Sequence, residues 1–358
     1  MKRILTIAGS DSGGGAGIQA DLKAITLLGG YGMSVLTALT AQNTMGVQEV
    51  HEVPASFVER QIDAVLSDIG ADAIKTGMLA NAEIIGAVAG KIKQYRVTKV
   101  VVDPVMVAKG GASLLQREAE ETLIRKLIPL AFVATPNLHE AAVLTGRKVG
   151  SIDGMKKAAR RIYEMGSKSV VVKGGHLKGD AIDILYDGHI YEEIKSPRIE
   201  TRNTHGTGCT FASAMATLIA RGEALPDAVR KAKTFVTLAI QSGLPLGKGT
   251  GPTNPFAYVL REMERYRVIQ ELKKAFELAK KENVGHLVPE VSSNLGYALP
   301  GAEGIEDVAA FPGRIVRFKD TVVSFGDPEF GASRHIAKMI MTVMSFHPGN
   351  ETQMNIRK

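Results

Sequence analysis

Short apolar runs alternate with helical stretches through the first two thirds of the chain. Runs such as Val100-Val101-Val102 are apolar at every position, which is typical of strands buried on both faces of a parallel sheet. The alternation predicts an α/β fold with a mainly parallel, doubly wound sheet and helices on both faces. The predicted strands are Arg3–Ala8, Met33–Leu39, Ala71–Thr76, Lys99–Asp103, Phe132–Thr135 and Ser169–Lys173. The predicted helices include Ser56–Ile69, Ala82–Tyr95, Arg117–Leu130 and Asp153–Met165.

Composition and charge exclude several classes of protein. The chain has 358 residues, of which 45% are apolar, with one cysteine and no tryptophan. One cysteine cannot form an internal disulfide, and no run of 18 apolar residues occurs, so we expect a cytoplasmic protein without a membrane partner. The net charge of +7 lies wholly in residues 1–261, because Lys and Arg balance Asp and Glu in residues 262–358. A basic first part suits anionic substrates, whereas the lack of basic runs and zinc-ligand spacing argues against nucleic acid.

Polar residues follow the ends of several predicted strands. They occur in Gln42-Asn43, Lys75-Thr76-Gly77-Met78, Asp103-Pro104-Val105-Met106, Thr135-Pro136-Asn137 and Lys173-Gly174-Gly175-His176. Each group has a structural alternative, since Asp103 can simply end a strand and Lys173 can be solvated. The carboxyl ends of parallel strands meet at one edge of the sheet, where ligands bind. The common placement of these groups therefore predicts a binding site at that edge.

The first predicted strand runs into a glycine-rich segment, Gly9 to Gly17, and then into a helix. Glycines at such a turn allow the backbone to approach a ligand closely. The spacing fits neither standard nucleotide loop, because position 18 is Ile where G-x-G-x-x-G requires glycine, and no G-x-x-x-x-G-K-[ST] occurs. If the protein uses ATP, it is therefore not a P-loop enzyme. The alternative is a tight turn from strand to helix that binds nothing.

The only cysteine, Cys209, lies in the segment Asn203–Thr210, where a helix is predicted to begin. The first turn of that helix offers backbone N–H groups and the positive end of a dipole, which can hold phosphoryl oxygens. The same field favours thiolate over thiol, so we predict that Cys209 can accept a proton near neutral pH. In the alternative interpretation, Gly206 and Gly208 only turn the chain and Cys209 packs as a small apolar residue.

A Gly- and Pro-rich stretch from Gly247 to Pro255 ends the alternation. Such a stretch is typical of a domain boundary, so we predict a first domain over 1–255, a linker over 256–261 and a smaller α/β domain over 262–358. In the smaller domain we predict a helix over Glu262–Lys281, a loop over Pro289–Ala298, a hairpin of Arg314–Phe318 with Thr321–Phe325, and a helix over Ser333–Phe346. His335 falls in the first turn of that last helix, where a cation opposes the dipole. We therefore expect either a bound anion there or a solvated helix start.

The segment Ala8–Asp21 resembles the first signature of the hydroxymethylpyrimidine/phosphomethylpyrimidine kinases of the ribokinase superfamily. Other blocks are similar to this family in the same order, namely Thr40–Asn43, Lys75–Leu79, Val102–Met106, Thr135–Ala141, Val172–His176 and His205–Cys209. The likeness extends to about Pro255. It implies a ribokinase-like fold and a homodimer, since related kinases are commonly dimers.

The resemblance also implies a reaction. The family uses ATP and Mg²⁺ to phosphorylate 4-amino-5-hydroxymethyl-2-methylpyrimidine on its hydroxyl, and then the monophosphate to the pyrophosphate, in thiamine biosynthesis. By position, Cys209 is the implied base that deprotonates the acceptor oxygen. The N–H groups of Gly206, Thr207 and Gly208 are implied to hold the transferring phosphoryl group.

The resemblance assigns substrate and metal roles as well. Gln42 and Asp21 are implied to pair with the aminopyrimidine, because an amide and a carboxylate match its ring nitrogen, amino group and hydroxymethyl group. Gly9 and Met78 would line the same pocket.

On the nucleotide side, Lys173, Asp103 and Asn137 are implied to lie near the phosphates. Glu140 would orient magnesium-bound water, and Asp103 would also lie near the metal.

The second part of the chain resembles the thiamine-phosphate synthase domain that is fused to such kinases, mostly in archaea. The similar blocks are Ser292–Ala298, Phe311–Arg314, Gly331–His335 and Met354–Arg357. The implied reaction joins the pyrimidine pyrophosphate to thiazole phosphate and releases pyrophosphate, which Arg314 and His335 would hold. Because the family continues past the last of these blocks while this chain stops at Lys358, we expect the synthase domain to be incomplete, and its activity stays open on the sequence alone.

Two alternatives remain open. The first is a pyridoxal or pyridoxine kinase, which shares the cysteine and the fold, and relative rates on the two ring alcohols separate it from the pyrimidine kinase. The second treats residues 262–358 as a ligand-sensing module, because similar domains occur beside DNA-binding segments. No helix-turn-helix pattern accompanies the domain in this chain, which makes the second alternative weaker.

Overall fold

The computed structural model describes residues 1–106, 117–175, 177 and 179–346, and the backbone of residues 354–356. The chain divides into two compact units, Met1–Tyr258 and Val259–Lys358. His176 and Arg357, which end two of the sequence blocks, lie outside the described residues. Within the described part, no helix is both long enough and apolar enough to cross a membrane.

The first unit contains a nine-stranded sheet. Its strands are β1 (Lys2–Asp11), β2 (Gly30–Asn43), β3 (Gly46–Glu52), β4 (Ala73–Thr76), β5 (Val100–Val102), β6 (Val133–Ala134), β7 (Val170–Val172), β8 (Ala181–Tyr186) and β9 (Tyr191–Ser196). Their order is β3-β2-β1-β4-β5-β6-β7-β8-β9. The six strands from β2 to β7 in that order are parallel, and β3, β8 and β9 add antiparallel edges.

Helices cover both faces of this sheet. They are α1 (Gly17–Leu27), α2 (Ala55–Asp68), α3 (Ala82–Gln94), α4 (Arg117–Thr122), α5 (Leu138–Thr145), α6 (Ile152–Glu164), α7 (Thr207–Ala220) and α8 (Leu225–Gln241). Successive side chains of a strand point to opposite faces. In β5, Val100 and Val102 accordingly join the apolar core beneath α2, α3, α5 and α6, while Val101 joins the core beneath α1, α7 and α8. The predicted two-faced α/β architecture is therefore confirmed.

The differences from the predicted elements have local causes. The predicted helix Arg117–Leu130 breaks after α4 into a π-helical turn, Leu123–Leu127, and a 3-10 turn, Ile128–Leu130. Pro129 lies in that last turn, and proline cannot donate the hydrogen bond that an α-helix needs there. Strands β3, β8 and β9 were not predicted. In β9 only Ile194 is buried, so an edge strand of this kind lacks the continuous apolar run of a central strand.

The second unit is a small α/β arrangement. Its elements are α9 (Ala257–Lys281, which begins at the end of the first unit), β10 (Asn294–Ala298), β11 (Val308–Ala310), β12 (Ile315–Phe318), β13 (Thr321–Ser324), β14 (Glu329–Phe330), α10 (Arg334–Phe346) and β15 (Met354–Ile356). The order of the antiparallel sheet is β14-β11-β10-β15, and β12 and β13 form a hairpin. Tyr297 packs into the core on the α9 side of the sheet, and Ala298 into the core on the α10 side.

Two predictions in the second unit need correction. Helix α9 begins at Ala257, so most of the predicted linker over 256–261 is helical. Leu260 and Met263 in its first turns are exposed. The first turns of the helix therefore bury no continuous apolar face, and the sequence shows no periodic apolar pattern there from which the start could be predicted. The predicted loop over Pro289–Ala298 contains strand β10. The predicted hairpin is confirmed, with Phe318 paired to Thr321 across a two-residue turn.

Candidate active site

The carboxyl ends of the parallel strands bring most of the predicted site residues to one edge of the first unit. Gly9 lies near the end of β1, Gln42 near the end of β2, and Met78 just beyond β4. Asp103 follows β5, and Lys173 follows β7. Helix α7 begins in the same region, as the contacts of its first residues show.

Asp11, which was not predicted as a site residue, shapes the glycine-rich loop between β1 and α1. Its Oδ1 accepts a hydrogen bond from the N–H of Gly13 at 2.8 Å, and its Oδ2 accepts from Gly15 at 3.1 Å and Ala16 at 2.7 Å. Its Oδ2 also lies 2.8 Å from Nε2 of His205. Burial acts to raise the pKa of Asp11, but the hydrogen bonds from His205, Ala16 and Gly13 outweigh it and hold the pKa below its usual value.

This loop lies against the segment that leads into α7. Gly206 has φ +82°, and a Cβ placed on it would lie 1.7 Å from the carbonyl oxygen of Gly15. Only glycine fits this position, because the left-handed backbone and the close approach both exclude a side chain. Glycine is thus needed here both to turn the chain and to bring two loops into backbone contact.

Helix α7 begins with no side-chain cap and with no acidic residue in its first turn. The first N–H groups of a helix have no partners within the helix, so they can hold an anion. A Cβ on Gly208 would lie 3.5 Å from Nζ of Lys173 and 3.6 Å from Oδ2 of Asp103. The structure therefore brings together Gly208, Lys173 and Asp103, as the sequence predicted.

Cys209 is partly exposed as a residue, but protein and charged groups surround its thiol. The backbone N–H of Gly17, at the start of α1, favours its ionised form, as does the ammonium of Lys75. Burial above all, with repulsion from the carboxylates of Asp21 and Asp103, outweighs both and raises the pKa of Cys209 to about 11. The prediction that the helix field gives a thiolate near neutral pH is therefore wrong for the protein in this structure. Loss of hydration outweighs the dipole.

Beneath Cys209 lies a buried ion pair. Nζ of Lys75 is 3.0 Å from Oδ1 and 2.9 Å from Oδ2 of Asp21, and both side chains have no exposed surface. Thr6 donates to Oδ2 of Asp21 at 2.6 Å, and Ser213 donates to Oδ1 at 2.7 Å. Although burial acts to lower the pKa of Lys75, attraction to Asp21, Cys209 and Asp103 raises it.

The prediction that Asp21 pairs with the aminopyrimidine does not fit these contacts. Its carboxylate is buried, and its two oxygens are shared among Lys75, Thr6 and Ser213. Asp21 instead fixes the ammonium of Lys75. Lys75 belongs to one of the polar groups that follow the predicted strands, but the sequence gives no sign that a lysine at the end of a strand will be buried.

A second charged cluster, Asp103, Lys173 and Glu140, also lies near the start of α7. Lys173 donates to Oδ1 of Asp103 at 2.8 Å, and Thr135 donates to the same oxygen at 3.1 Å. Burial raises the pKa of Glu140 to about 7, with repulsion from Asp103 adding to the rise and Lys173 opposing it. Lys173 thus forms its ion pair with Asp103, while Glu140, which has no ion pair of its own within the described part of the chain, feels both charges and takes up a proton readily.

Asn137 and Glu140 also form the N-terminal cap of α5. The side chain of Asn137 accepts from the N–H of Glu140 at 3.0 Å, and Oε2 of Glu140 accepts from the N–H of Asn137 at 2.7 Å. Among the described residues, no group of three or more His, Cys, Asp or Glu could hold a metal ion. Mg²⁺ usually binds through one or two carboxylates together with substrate phosphates. The pair of Asp103 and Glu140 fits that requirement.

The predicted pyrimidine pocket contains an unpredicted histidine. Nε2 of Gln42 lies 3.3 Å from Nε2 of His205, and Oε1 of Gln42 accepts from Thr40 at 3.2 Å. Met78 packs across Gly9, where a Cβ would lie 2.6 Å from the terminal methyl of Met78. The sequence signal for Asp11 and His205 was their place in the two glycine-containing segments, since an aspartate at the start of a turn commonly accepts hydrogen bonds from the backbone of the following residues.

In the second unit, Arg314 and His335 are both exposed. Arg314 directly precedes β12 and donates to the carbonyl of Val291. His335 lies in the first turn of α10. No contact within the described part of the chain joins the two side chains, so this structure does not bring them together.

The fold and this site define a small-molecule kinase of the ribokinase-like class. A family sequence model described as Phosphomethylpyrimidine kinase matches residues 11–254, and one described as Thiamine-phosphate synthase ThiN matches residues 271–358. The chain therefore belongs to the phosphomethylpyrimidine kinase family and carries a thiamine-phosphate synthase domain after the kinase domain.

Curated relatives agree with this assignment. The chain is 50% identical over 258 residues to the hydroxymethylpyrimidine/phosphomethylpyrimidine kinase of Bacillus subtilis, a match that covers 72% of this chain and 95% of the relative. It is 58% identical over 252 residues to the thiamine biosynthesis bifunctional protein ThiED of Geobacter sulfurreducens, which covers 70% of this chain and 51% of the relative. The match thus spans about half the length of that bifunctional relative.

Solved structures show the same fold. The ADP complex of Bacillus subtilis pyridoxal kinase has a TM-score of 0.69 and 42% identity, with 73% of this chain and 99% of the other covered. The phosphomethylpyrimidine kinase of Clostridium difficile has a TM-score of 0.61 and 45% identity, with 67% and 100% covered. The resemblance seen in the sequence is confirmed.

Proposed function

We propose that this protein is a bifunctional enzyme of thiamine biosynthesis. Its first unit phosphorylates 4-amino-5-hydroxymethyl-2-methylpyrimidine with ATP and then converts the monophosphate to the pyrophosphate. The observation that carries this proposal is the approach of Gly208 to both Lys173 and Asp103, because it places a helix start and a charged pair around one space at the sheet edge. Both matched families agree with it.

On the nucleotide side, the N–H groups of Gly206, Thr207 and Gly208 hold the oxygens of the phosphoryl group that is transferred. Lys173 neutralises phosphate charge, and its ion pair with Asp103 fixes its direction. Mg²⁺, when bound with the nucleotide, neutralises the charge of the phosphates, and Asp103 and Glu140 are the residues that would hold it or its water. Asn137 supports this arrangement indirectly, because it caps α5 and positions Glu140.

On the acceptor side, Gln42 pairs with the aminopyrimidine, and Gly9 and Met78 line its face. The acceptor oxygen forms a bond to the γ-phosphorus as the bond to the bridging oxygen of ADP breaks. Cys209, as thiolate, takes the hydroxyl proton in the first phosphorylation, and Lys75 stabilises that charge. In a loose transition state this proton moves late, so a weakly ionised thiol still serves.

In the second unit, we propose condensation of the pyrimidine pyrophosphate with thiazole phosphate to give thiamine phosphate and pyrophosphate. Arg314 and His335 would hold the leaving pyrophosphate. Both are exposed, and neither forms an ion pair with an acid in the part of the chain that the structure describes, so an anionic ligand can reach them. Whether this domain completes the reaction is decided by the assay below.

Two further properties form part of the proposal. We propose a homodimer, because Tyr31, Leu39 and Val50 are apolar and exposed on β2 and β3 at one edge of the sheet. We propose a cytoplasmic location, because a single cysteine suits a reducing compartment.

A second candidate activity is phosphorylation of pyridoxal. It is favoured by the similarity to solved pyridoxal kinases, including one from Staphylococcus aureus in complex with AMP-PCP and pyridoxal at 40% identity and a TM-score of 0.67. The pyrimidine assignment is preferred because the matched family and the curated relatives named above are phosphomethylpyrimidine kinases.

The test is a coupled assay of the purified chain. The protein receives ATP, Mg²⁺ and hydroxymethylpyrimidine, then thiazole phosphate, and every pyrimidine and thiamine species is quantified, with pyridoxal as a parallel substrate. Pyrimidine pyrophosphate and thiamine phosphate together support both activities. Pyrimidine pyrophosphate alone contradicts the synthase assignment. Phosphorylation of pyridoxal without phosphorylation of the pyrimidine contradicts the kinase assignment and favours the second candidate.

A further inference from the structure

The imidazole of His205 contacts two parts of the site that the proposed mechanism uses separately. Its Nε2 lies 2.8 Å from Oδ2 of Asp11 and 3.3 Å from Nε2 of Gln42. Asp11 holds the glycine-rich loop, and Gln42 belongs to the proposed pyrimidine pocket. The next residue after His205 is Gly206, which begins the phosphate-holding segment. The side chain of His205 therefore contacts Gln42 on the acceptor side, and its backbone leads directly into the segment 206–208 that is proposed to hold the phosphoryl group.

The position of this ring is tightly fixed. The N–H of His205 donates to the carbonyl of Gly251 at 3.0 Å, and its carbonyl accepts from the N–H of Thr253 at 3.0 Å. A Cβ on Gly15 would lie 2.4 Å from Cδ2 of the imidazole, so the glycine-rich loop lies directly against the ring. The side chain is 15% exposed. The ring cannot shift without moving either the glycine-rich loop or the backbone that enters α7.

The hydrogen bonds also have a direction. A carboxylate only accepts hydrogen bonds, so Nε2 of His205 must carry the proton that it shares with Asp11. That ion-assisted bond is stronger than a neutral one and ties the α7 segment to the glycine-rich loop. Because this N–H points to Asp11, the same nitrogen cannot also accept a hydrogen bond from the Gln42 amide, so the 3.3 Å approach of the two nitrogens is a packing contact that limits the positions of the amide.

We propose that His205 is a positioning residue that links recognition of the pyrimidine by Gln42 to the geometry of the phosphate-holding segment 206–208. Phosphoryl transfer depends on the alignment of acceptor, phosphorus and leaving group, so a shift of this segment lowers the rate even when both substrates bind. The inference rests on the proposed assignment of Gln42 to the pyrimidine.

A double-mutant cycle tests the link. Steady-state kinetics of pyrimidine phosphorylation are measured for the wild type, His205→Ala, Gln42→Ala and the double variant. We expect each single variant to lower kcat/KM for the pyrimidine by about 10- to 100-fold, with kcat carrying most of the loss in His205→Ala. We expect kcat/KM of the double variant to lie within about threefold of that of the less active single variant. Either single variant already breaks the link between the two residues, so the second substitution removes nothing further.

Further variants separate positioning from a general loss of structure. His205→Gln keeps a donor near the position of Nε2 and should recover most of the rate. His189→Ala, which changes an exposed histidine in the turn between β8 and β9, should match the wild type. The dissociation constant for ADP should change little in His205→Ala, and the variant should stay folded at the assay temperature even though loss of the bond to Asp11 lowers its thermal midpoint. If that variant does not fold, the isosteric Asp11→Asn replaces it in the cycle with the same expectation.

Two results would overturn the inference. The first is a double variant whose loss equals the product of the two single losses, since independent sites multiply in this way. The second is His205→Gln as impaired as His205→Ala while both fold normally. A wild-type chain that leaves the pyrimidine unphosphorylated but binds ADP would instead contradict the proposed function, and the inference would fall with it.

Discussion

Two charged clusters lie near the start of α7, and they differ in how completely their charges are paired. In the cluster of Lys75 and Asp21, one ammonium meets one carboxylate, and Thr6 and Ser213 satisfy the carboxylate oxygens. In the cluster of Asp103, Glu140 and Lys173, the ammonium pairs with Asp103, and the carboxyl of Glu140 has no ion-pair partner among the described residues. The first is therefore a fixed part of the fold, while the second has room for one more positive charge, as a site for a nucleotide-bound cation requires.

The largest effect on stability should come from breaking the fully paired cluster. Lys75→Met leaves Asp21 buried without its ammonium, and removal of one partner of a buried pair typically costs about 3–5 kcal/mol. We expect a loss of that order in the free energy of unfolding, measured by urea denaturation. Lys93→Met, which changes an exposed lysine on α3, is the matched control and should cost less than about 0.5 kcal/mol. A loss below about 1 kcal/mol in Lys75→Met would show that the pair is not a fixed part of the fold.

The next effect concerns the thiol that lies between the clusters. We expect Cys209→Ala to lower the turnover number by on the order of a hundredfold with little change in the KM for ATP. Because burial raises the pKa of Cys209 to about 11, the wild-type rate should rise with pH between 7 and 9, where the thiolate fraction grows. Cys209→Asp, whose side chain is ionised throughout this range, should flatten the profile. Full activity in Cys209→Ala would remove the base assignment and leave the phosphate-holding segment unaffected.

A smaller effect should distinguish the incompletely paired cluster. The pKa of Glu140 is raised to about 7 in the folded protein, so between its unfolded value and pH 7 the folded state holds a proton that the unfolded state has lost. The stability from this group is complete below the unfolded pKa and is lost as the pH rises through 7. Glu140→Gln, which can keep the α5 cap, should remove this decline, worth on the order of 2 kcal/mol between pH 5 and 8. If unfolding of the variant and of the wild type depended equally on pH, the cluster of Asp103, Glu140 and Lys173 would not carry the excess of carboxylates that we assign to it.

The smallest effect on stability is expected in the second unit. Arg314→Ala and His335→Ala change exposed side chains, so each should alter the free energy of unfolding by less than about 0.5 kcal/mol. If these residues hold pyrophosphate, each variant should form less thiamine phosphate while phosphorylation of the pyrimidine is unchanged. Product yields from the coupled assay measure both. A loss of stability without loss of thiamine phosphate would give these residues a structural role instead.

The comparison also shows what the sequence could predict. Continuous apolar strands such as Val100–Val102 predicted the architecture, because a strand that is buried on both faces is apolar at every position. The edge location of the site followed from the polar residues after those strands. Gly208, Asp103 and Lys173 were accordingly predicted together, and the structure brings them together.

What could not be predicted depends on solvation and long-range pairing. Asp21 and Lys75 are 54 positions apart, and only the folded chain shows that they neutralise each other without any exposed surface. The sequence suggested a thiolate at Cys209 from the helix dipole alone, because the opposing cost of burial is invisible before packing is known. The contact between His205 and Asp11, 194 positions apart, was missed for the same reason.

Proton release on nucleotide binding tests the contrast between the two clusters most directly. Calorimetric titration of the protein with ADP and Mg²⁺ at pH 7, repeated in buffers of different ionisation enthalpy, measures the number of protons released. With the pKa of Glu140 at about 7, we expect the wild type to release about half a proton as the cation arrives, and Glu140→Gln to release almost none. Equal release by the two proteins would contradict the account, because the cluster of Asp103, Glu140 and Lys173 would then not be the part that responds to the cation.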